Sequence, residues 1–213
     1  MLRLGKLIFG LLIVQALAAC GILAVGGVAG SAAVMSDRRS PGVQAIDVGI
    51  EFEAGNQLSK RFGDNAHINV TAFNQKVLLT GEVKDEKIKA DAGSYVSSLK
   101  NARAVFNELV VGPNSEYSAR ANDAYLSSKI KTQMIFTNDL PSNSMNIIAE
   151  GTNVYLMGIL TQSEAEEAKR IASHASGVKE VYAYFDIISD AEKTRLEKLG
   201  KAENTQPIAN PKP

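Results

Sequence analysis

One pattern occurs twice in this chain, and a pattern repeated at that length sets the unit that has to fold. Ile68-Asn69-Val70-Thr71-Ala72-Phe73 followed by Val77-Leu78-Leu79-Thr80-Gly81-Glu82-Val83 is echoed by Met145-Asn146-Ile147-Ile148-Ala149-Glu150 followed by Val154-Tyr155-Leu156-Met157-Gly158-Ile159-Leu160. Each half predicts two strands and a tight turn, with Asn74-Gln75 and Gly151-Thr152-Asn153 supplying the turn chemistry. A charged, alanine-containing stretch comes next in both, Asp85 to Leu99 and Gln162 to Ala175, and its spacing predicts an amphipathic helix. Asn101 and Gly177 then stand where a helix closes in the left-handed conformation. Alternation resumes over Val105, Asn107, Leu109, Val111 and over Val181, Ala183, Phe185, Ile187, the third strand of each half.

Upstream of each hairpin a further helix is expected, with Asp47 and Asp123 as candidate N-caps. Its apolar stripe is Ile50, Ala54, Leu58 in one half and Leu126, Ile130, Met134 in the other. Each half is therefore helix, strand, strand, helix, strand, an α+β unit with a small three-stranded mixed sheet packed on two helices. Gly81 and Gly158 occupy matching strand positions, where a side chain would obstruct a close backbone approach. With Gly177 they are expected to be structural glycines.

The amino-terminal part says where the protein is kept. Cys20, the only cysteine, closes Leu17-Ala18-Ala19-Cys20 after a basic start (Arg3, Lys6) and an uncharged run from Leu7 to Ala16, the n-region and h-region of a secretory signal. Small residues before a single cysteine resemble the lipobox of bacterial lipoproteins. That resemblance implies removal of residues 1–19, acylation of Cys20 and a mature chain beginning there. Gly21, where an inner-membrane retention signal would have Asp, implies the outer membrane, on its periplasmic side. The uncharged run continues to Met35, long enough to span a bilayer, and Gly26 and Gly30 form a GxxxG, so an uncleaved membrane helix is the other reading. Glycine and alanine dominate its second half, which favours a lipid anchor with a flexible tether over residues 20–45.

Composition narrows the function. Basic and acidic residues number 23 each; losing Arg3 and Lys6 with the signal leaves a net charge of about −2 and no basic field to hold nucleic acid. The two histidines, His67 in an expected loop and His174 near an expected helix end, come with no free thiol, which gives no ground for a metal site. No GxSxG, P-loop or dinucleotide fingerprint occurs, so neither a cofactor nor a catalytic residue is expected. Glu164, Glu166 and Glu167 share a predicted helix with Lys169 and Arg170, where pairing and solvation account for them.

The Val-x-Leu-x-Gly-x-Val/Leu core in this order of elements resembles the BON domain. Two copies behind a lipobox and an Asp37-Arg38-Arg39 segment resemble the dual-BON outer-membrane lipoproteins. The first copy runs over 46–112 and the second over 122–189, joined by Gly112 to Ala121; residues 190–213 read as a polar, disordered tail with a short helix to Leu199. The resemblance implies a palmitate-bearing envelope-stress lipoprotein that recognises anionic phospholipid through its second BON domain and maintains envelope integrity.

The residues carry a parallel signal. Between the two first helices Gly49 becomes Tyr125, Glu53 becomes Lys129 and Gly55 becomes Lys131. Tyr125 and Leu126 at a membrane interface, with Lys129 and Lys131 on head groups, make the expected lipid-binding patch, although Tyr125 stands where the family pattern often has Trp. The partners expected are thus the membrane, through a covalent anchor, and anionic phospholipids. The alternative is a non-enzymatic scaffold for outer-membrane assembly or cell-wall remodelling machinery, acting through the sheet face or the domain junction.

Overall fold

The computed structural model describes residues 37–204. The signal, Cys20 and the greater part of the tether lie outside the described residues. Helix α1 (Pro41–Phe62) starts on Ser40, whose Oγ accepts the Val43 N–H at 3.3 Å, with Pro41 in the first turn where its missing N–H costs nothing. Strands β1 (Ala66–Phe73) and β2 (Lys76–Val83) pair antiparallel, and after helix α2 (Glu86–Ser97) the strands β3 (Ala104–Asn107) and β4 (Val110–Val111) both pair parallel with β2. The second half repeats this with α3 (Tyr117–Ile135), β5 (Met145–Glu150), β6 (Asn153–Leu160), α4 (Gln162–His174) and β7 (Glu180–Ile187), in strand order β5-β6-β7. Helix α5 (Asp190–Asn204) closes the described chain.

The central strand β6 is apolar almost throughout, and β2 over Val77 to Leu79, because both of their faces are covered. Val77, Leu79 and Val83 pack toward the stripe Ile50, Ala54, Leu58 of α1, and Val154, Leu156 and Leu160 toward Leu126, Ile130 and Met134 of α3. The alternate residues, Leu78 of β2 and Tyr155, Met157 and Ile159 of β6, join Phe73 in a third apolar cluster that fuses the two halves sheet to sheet. Phe106 and Tyr184 stack across it with ring centroids 4.0 Å apart. Those sheet faces are consequently not open to a scaffolding partner.

Asp47 and Asp123 are not N-caps. Both lie buried inside their helices, which start earlier, at Pro41 and Tyr117. Asp47 accepts the backbone N–H groups of Asn74 at 2.8 Å and Gln75 at 2.7 Å, and Asp123 those of Gly151 at 3.1 Å and Thr152 at 3.4 Å. These are the central residues of the two hairpin turns, with φ of 52° and 64° in the first and 57° and 73° in the second. A two-residue turn in that conformation points its N–H groups toward the helix, and the repeated carboxylate receives them.

Gly81 has φ of 112°, and a Cβ there would come 2.0 Å from the His67 carbonyl oxygen; on Gly158 it would come 2.9 Å from that of Ser144. Gly177 follows α4 at φ 101°, whereas Asn101 is not left-handed, because α2 already closes at Ser98.

Three boundaries move. Glu116 caps α3, so the linker is shorter than its sequence suggests. Residues 37–45, expected as part of a flexible tether, are ordered: the Arg38 side chain is buried against the second half and helix α1 starts at Pro41. The expected short helix to Leu199 extends over 190–204, since Leu196 packs on the inter-sheet cluster and Lys193 reaches Glu164 at 2.8 Å.

Candidate functional site

Helix α3 carries its buried stripe on one side, and the opposite side is uncharged over its whole length. Tyr117, Ala121, Ala124, Tyr125, Ser128, Thr132 and Ile135 are all exposed there, and Phe136 follows at the C-cap. Tyr125 is 66% exposed and Phe136 82%. Large apolar groups left in water along one helix face mark an interaction surface.

Of the other residues expected on this patch, Leu126 is only 3% exposed and belongs to the core. Lys129 flanks Tyr125 and donates to the Ser176 carbonyl at 3.2 Å. Lys131 turns away: its Nζ donates to the carbonyls of Ser142 and Met145, and burial draws its pKa below the ordinary lysine range, opposed by Asp37. Tyr125 and Lys129 are therefore brought together, while Leu126 and Lys131 are not. Ile135 and Phe136 complete the ridge and went unread in the sequence, although Met134-Ile135-Phe136 ending a helix was the available signal.

Beside the loop after α4 lies a shallow cleft of about 370 Å³ lined by Glu166, Lys169, Arg170, Ser173, Val178, Lys179 and Val181. Its three basic side chains outnumber its one carboxylate, which suits an anionic group, although Arg170 is held by Glu167 at 2.6 Å.

The joint between the halves carries polar groups as well as its apolar centre. Asp186 of β7 receives Lys76 at 3.0 Å, Arg103 at 2.6 Å and the Asn74 amide at 2.8 Å; burial opposes its ionisation, but these donors hold its carboxyl below the ordinary range. Glu164, read in sequence as part of a solvated face, is buried. It closes a capping box with Thr161 and takes both guanidinium nitrogens of Arg38, at 2.7 and 2.9 Å. Burial would raise the Glu164 carboxyl, but Arg38, Lys193 and the Thr161 N–H overcome it and hold it at about 2.

A third polar group joins His67 of β1, Glu82 of β2 and Glu150 of β5, whose candidate ligand atoms all lie within 4.8 Å of one another. His67 Nδ1 is 3.1 Å from Glu82, and Asn69 donates to Glu150 at 2.9 Å. His67 lies in a strand rather than a loop, and no local pattern brings it to two carboxylates that come from other strands.

The BON domain model matches residues 46–113 and 122–188, more than half of the chain. The chain belongs to the BON-domain family. It is 32% identical over 168 residues to the outer membrane lipoprotein DolP of Haemophilus influenzae, covering 78% of this chain and 87% of that one. A 21 kDa hemolysin of Actinobacillus pleuropneumoniae is 27% identical over 147 residues, covering 68% of this chain and 76% of its own. The solved structure of CdsD, a structural protein of the type III secretion system of Chlamydia trachomatis, is 11% identical with a TM-score of 0.27, covering 76% of this chain and 70% of that one, too distant to bear on either fold or function. This dual-BON chain is an outer-membrane lipoprotein, and among the described residues no helix is long and apolar enough to cross a membrane.

Proposed function

We propose that the protein is anchored through acylated Cys20 and reads anionic phospholipid with the second BON domain, supporting envelope integrity as a binding protein rather than an enzyme. The observation that carries this reading is the uncharged, exposed face of α3 from Tyr117 to Phe136. Aromatic side chains with a polar tip or edge suit the boundary between head groups and acyl chains.

Magnitudes favour the apolar part. One lysine near an anionic surface contributes about 1 kcal/mol, whereas partial burial of Tyr125, Ile135 and Phe136 contributes about 4 to 5 kcal/mol in all. A total near 5 to 6 kcal/mol corresponds to a dissociation constant of roughly 0.1 mM. That is weak for a free protein and sufficient for one whose acyl chains already hold it at the bilayer. With Lys131 directed inward, charge selects the lipid and the ridge supplies the affinity.

Co-sedimentation of the chain from residue 20 with Cys20→Ser, which removes the acyl anchor, tests this. Expected is weak pelleting with phosphatidylglycerol vesicles and less with zwitterionic ones. Tyr125→Ala with Phe136→Ala should lower the bound fraction about tenfold or more, the cost of two partly buried rings. Equal pelleting of parent and double variant would favour the scaffold reading.

A further inference from the structure

We propose that His67, Glu82 and Glu150 form a divalent metal site, of the zinc type, that clasps the two BON domains together. The three side chains come from three strands and both domains: His67 and Glu82 face each other in register on β1 and β2, and Glu150 ends β5. All three are partly buried, and their ligand atoms lie within 4.8 Å of one another. Tetrahedral zinc with ligand bonds of about 2.1 Å needs donors about 3.4 Å apart; His67 Nδ1 and Glu82 already stand 3.1 Å apart, and rotation of the Glu150 carboxylate brings in the third donor. One imidazole with two carboxylates suits zinc better than calcium or magnesium, which prefer oxygen alone. The fourth position is left to water.

Charge gives an independent reason. At the Asp186 group a single carboxylate meets two cations, Lys76 and Arg103. At this group two carboxylates meet one histidine, and among the described residues neither Glu82 nor Glu150 forms an ion pair with a lysine or arginine. A bound dication supplies the missing charge in the same joint. Outer contacts are in place as well: Asn69 donates to Glu150 at 2.9 Å and the Ser115 N–H to Glu82 at 3.2 Å, partners of the kind that support a ligating carboxylate. Because β1 and β2 belong to one domain and β5 to the other, the ion stiffens the joint.

The full chain, untagged and purified in detergent, is dialysed against zinc alone, and its melting temperature is followed with and without the ion. Expected is one zinc per chain and a raised melting temperature, with no rise from magnesium. His67→Ala and the isosteric Glu150→Gln should each weaken binding by roughly tenfold or more and abolish the rise, while His174→Ala should leave both unchanged. Cobalt in place of zinc should give the visible bands of a tetrahedral nitrogen–oxygen site, lost in both ligand variants, which tests the site even where a variant melts early. No zinc bound by the parent chain, or undiminished binding by His67→Ala and Glu150→Gln, would overturn the proposal.

Discussion

Asp47 and Asp123 show how one residue type organises a whole hairpin. Each is buried in a helix and spends its carboxylate on the two N–H groups of a turn whose residues all have positive φ. The contacts are shorter at Asp47, 2.7 and 2.8 Å against 3.1 and 3.4 Å, and Asp47 also pairs with Arg39 at 2.9 Å. Leaving such groups unpaired costs about 1 to 3 kcal/mol each. Asp47→Ala should therefore destabilise by about 3 kcal/mol or more and Asp123→Ala by about 2 kcal/mol, read as urea unfolding midpoints. Unchanged midpoints would show that the turns do not depend on these carboxylates, and the opposite order that contact length does not rank them. Sequence placed both aspartates at helix starts because Asp is a good cap. Their acceptor role depends on contacts 27 to 29 positions away and cannot be read from local pattern.

Among the elements, the strands and their order were legible because period and turn chemistry agree across both halves. The helix exteriors were less so. Lys129 and Lys131 look alike on a helical projection, yet Lys129 stays beside Tyr125 with one carbonyl, that of Ser176, while Lys131 turns inward onto two, those of Ser142 and Met145. Phe52 of α1 is 74% exposed, an apolar group on the outside of the first domain's helix where α3 has Ser128. Helix α5 runs past the short helix to Leu199 that its polar composition suggests, and what holds it lies on other elements, at Glu164 and Arg38. That clasp has a pH signature. Glu164 is held at about 2 against an ordinary 4.5, so its depressed value contributes stability that is complete above about pH 4.5 and lost as pH falls through about 2. Glu164→Gln should be less stable than the parent by about 3 kcal/mol at pH 7, with the gap closing between pH 4.5 and 2 in thermal melts. A gap independent of pH would mean that the Arg38 pairing adds nothing.

At the scale of the molecule, the two BON domains share an apolar joint and differ in what their first helices show to solvent. The joint removes the inner sheet faces as partner surfaces and leaves α3, with its ridge from Tyr117 to Phe136, as the second domain's open apolar face. The chain contains no tryptophan, so a single introduced indole reports one position without background. Tyr125→Trp, Phe136→Trp and Phe52→Trp, each on the Cys20→Ser chain, place that reporter on the ridge twice and on α1 once. With phosphatidylglycerol vesicles the two ridge variants should shift their emission to shorter wavelength and become shielded from an aqueous quencher, while Phe52→Trp stays unchanged. Unshifted emission from both ridge variants, or a shift confined to Phe52→Trp, would contradict membrane recognition by the second domain.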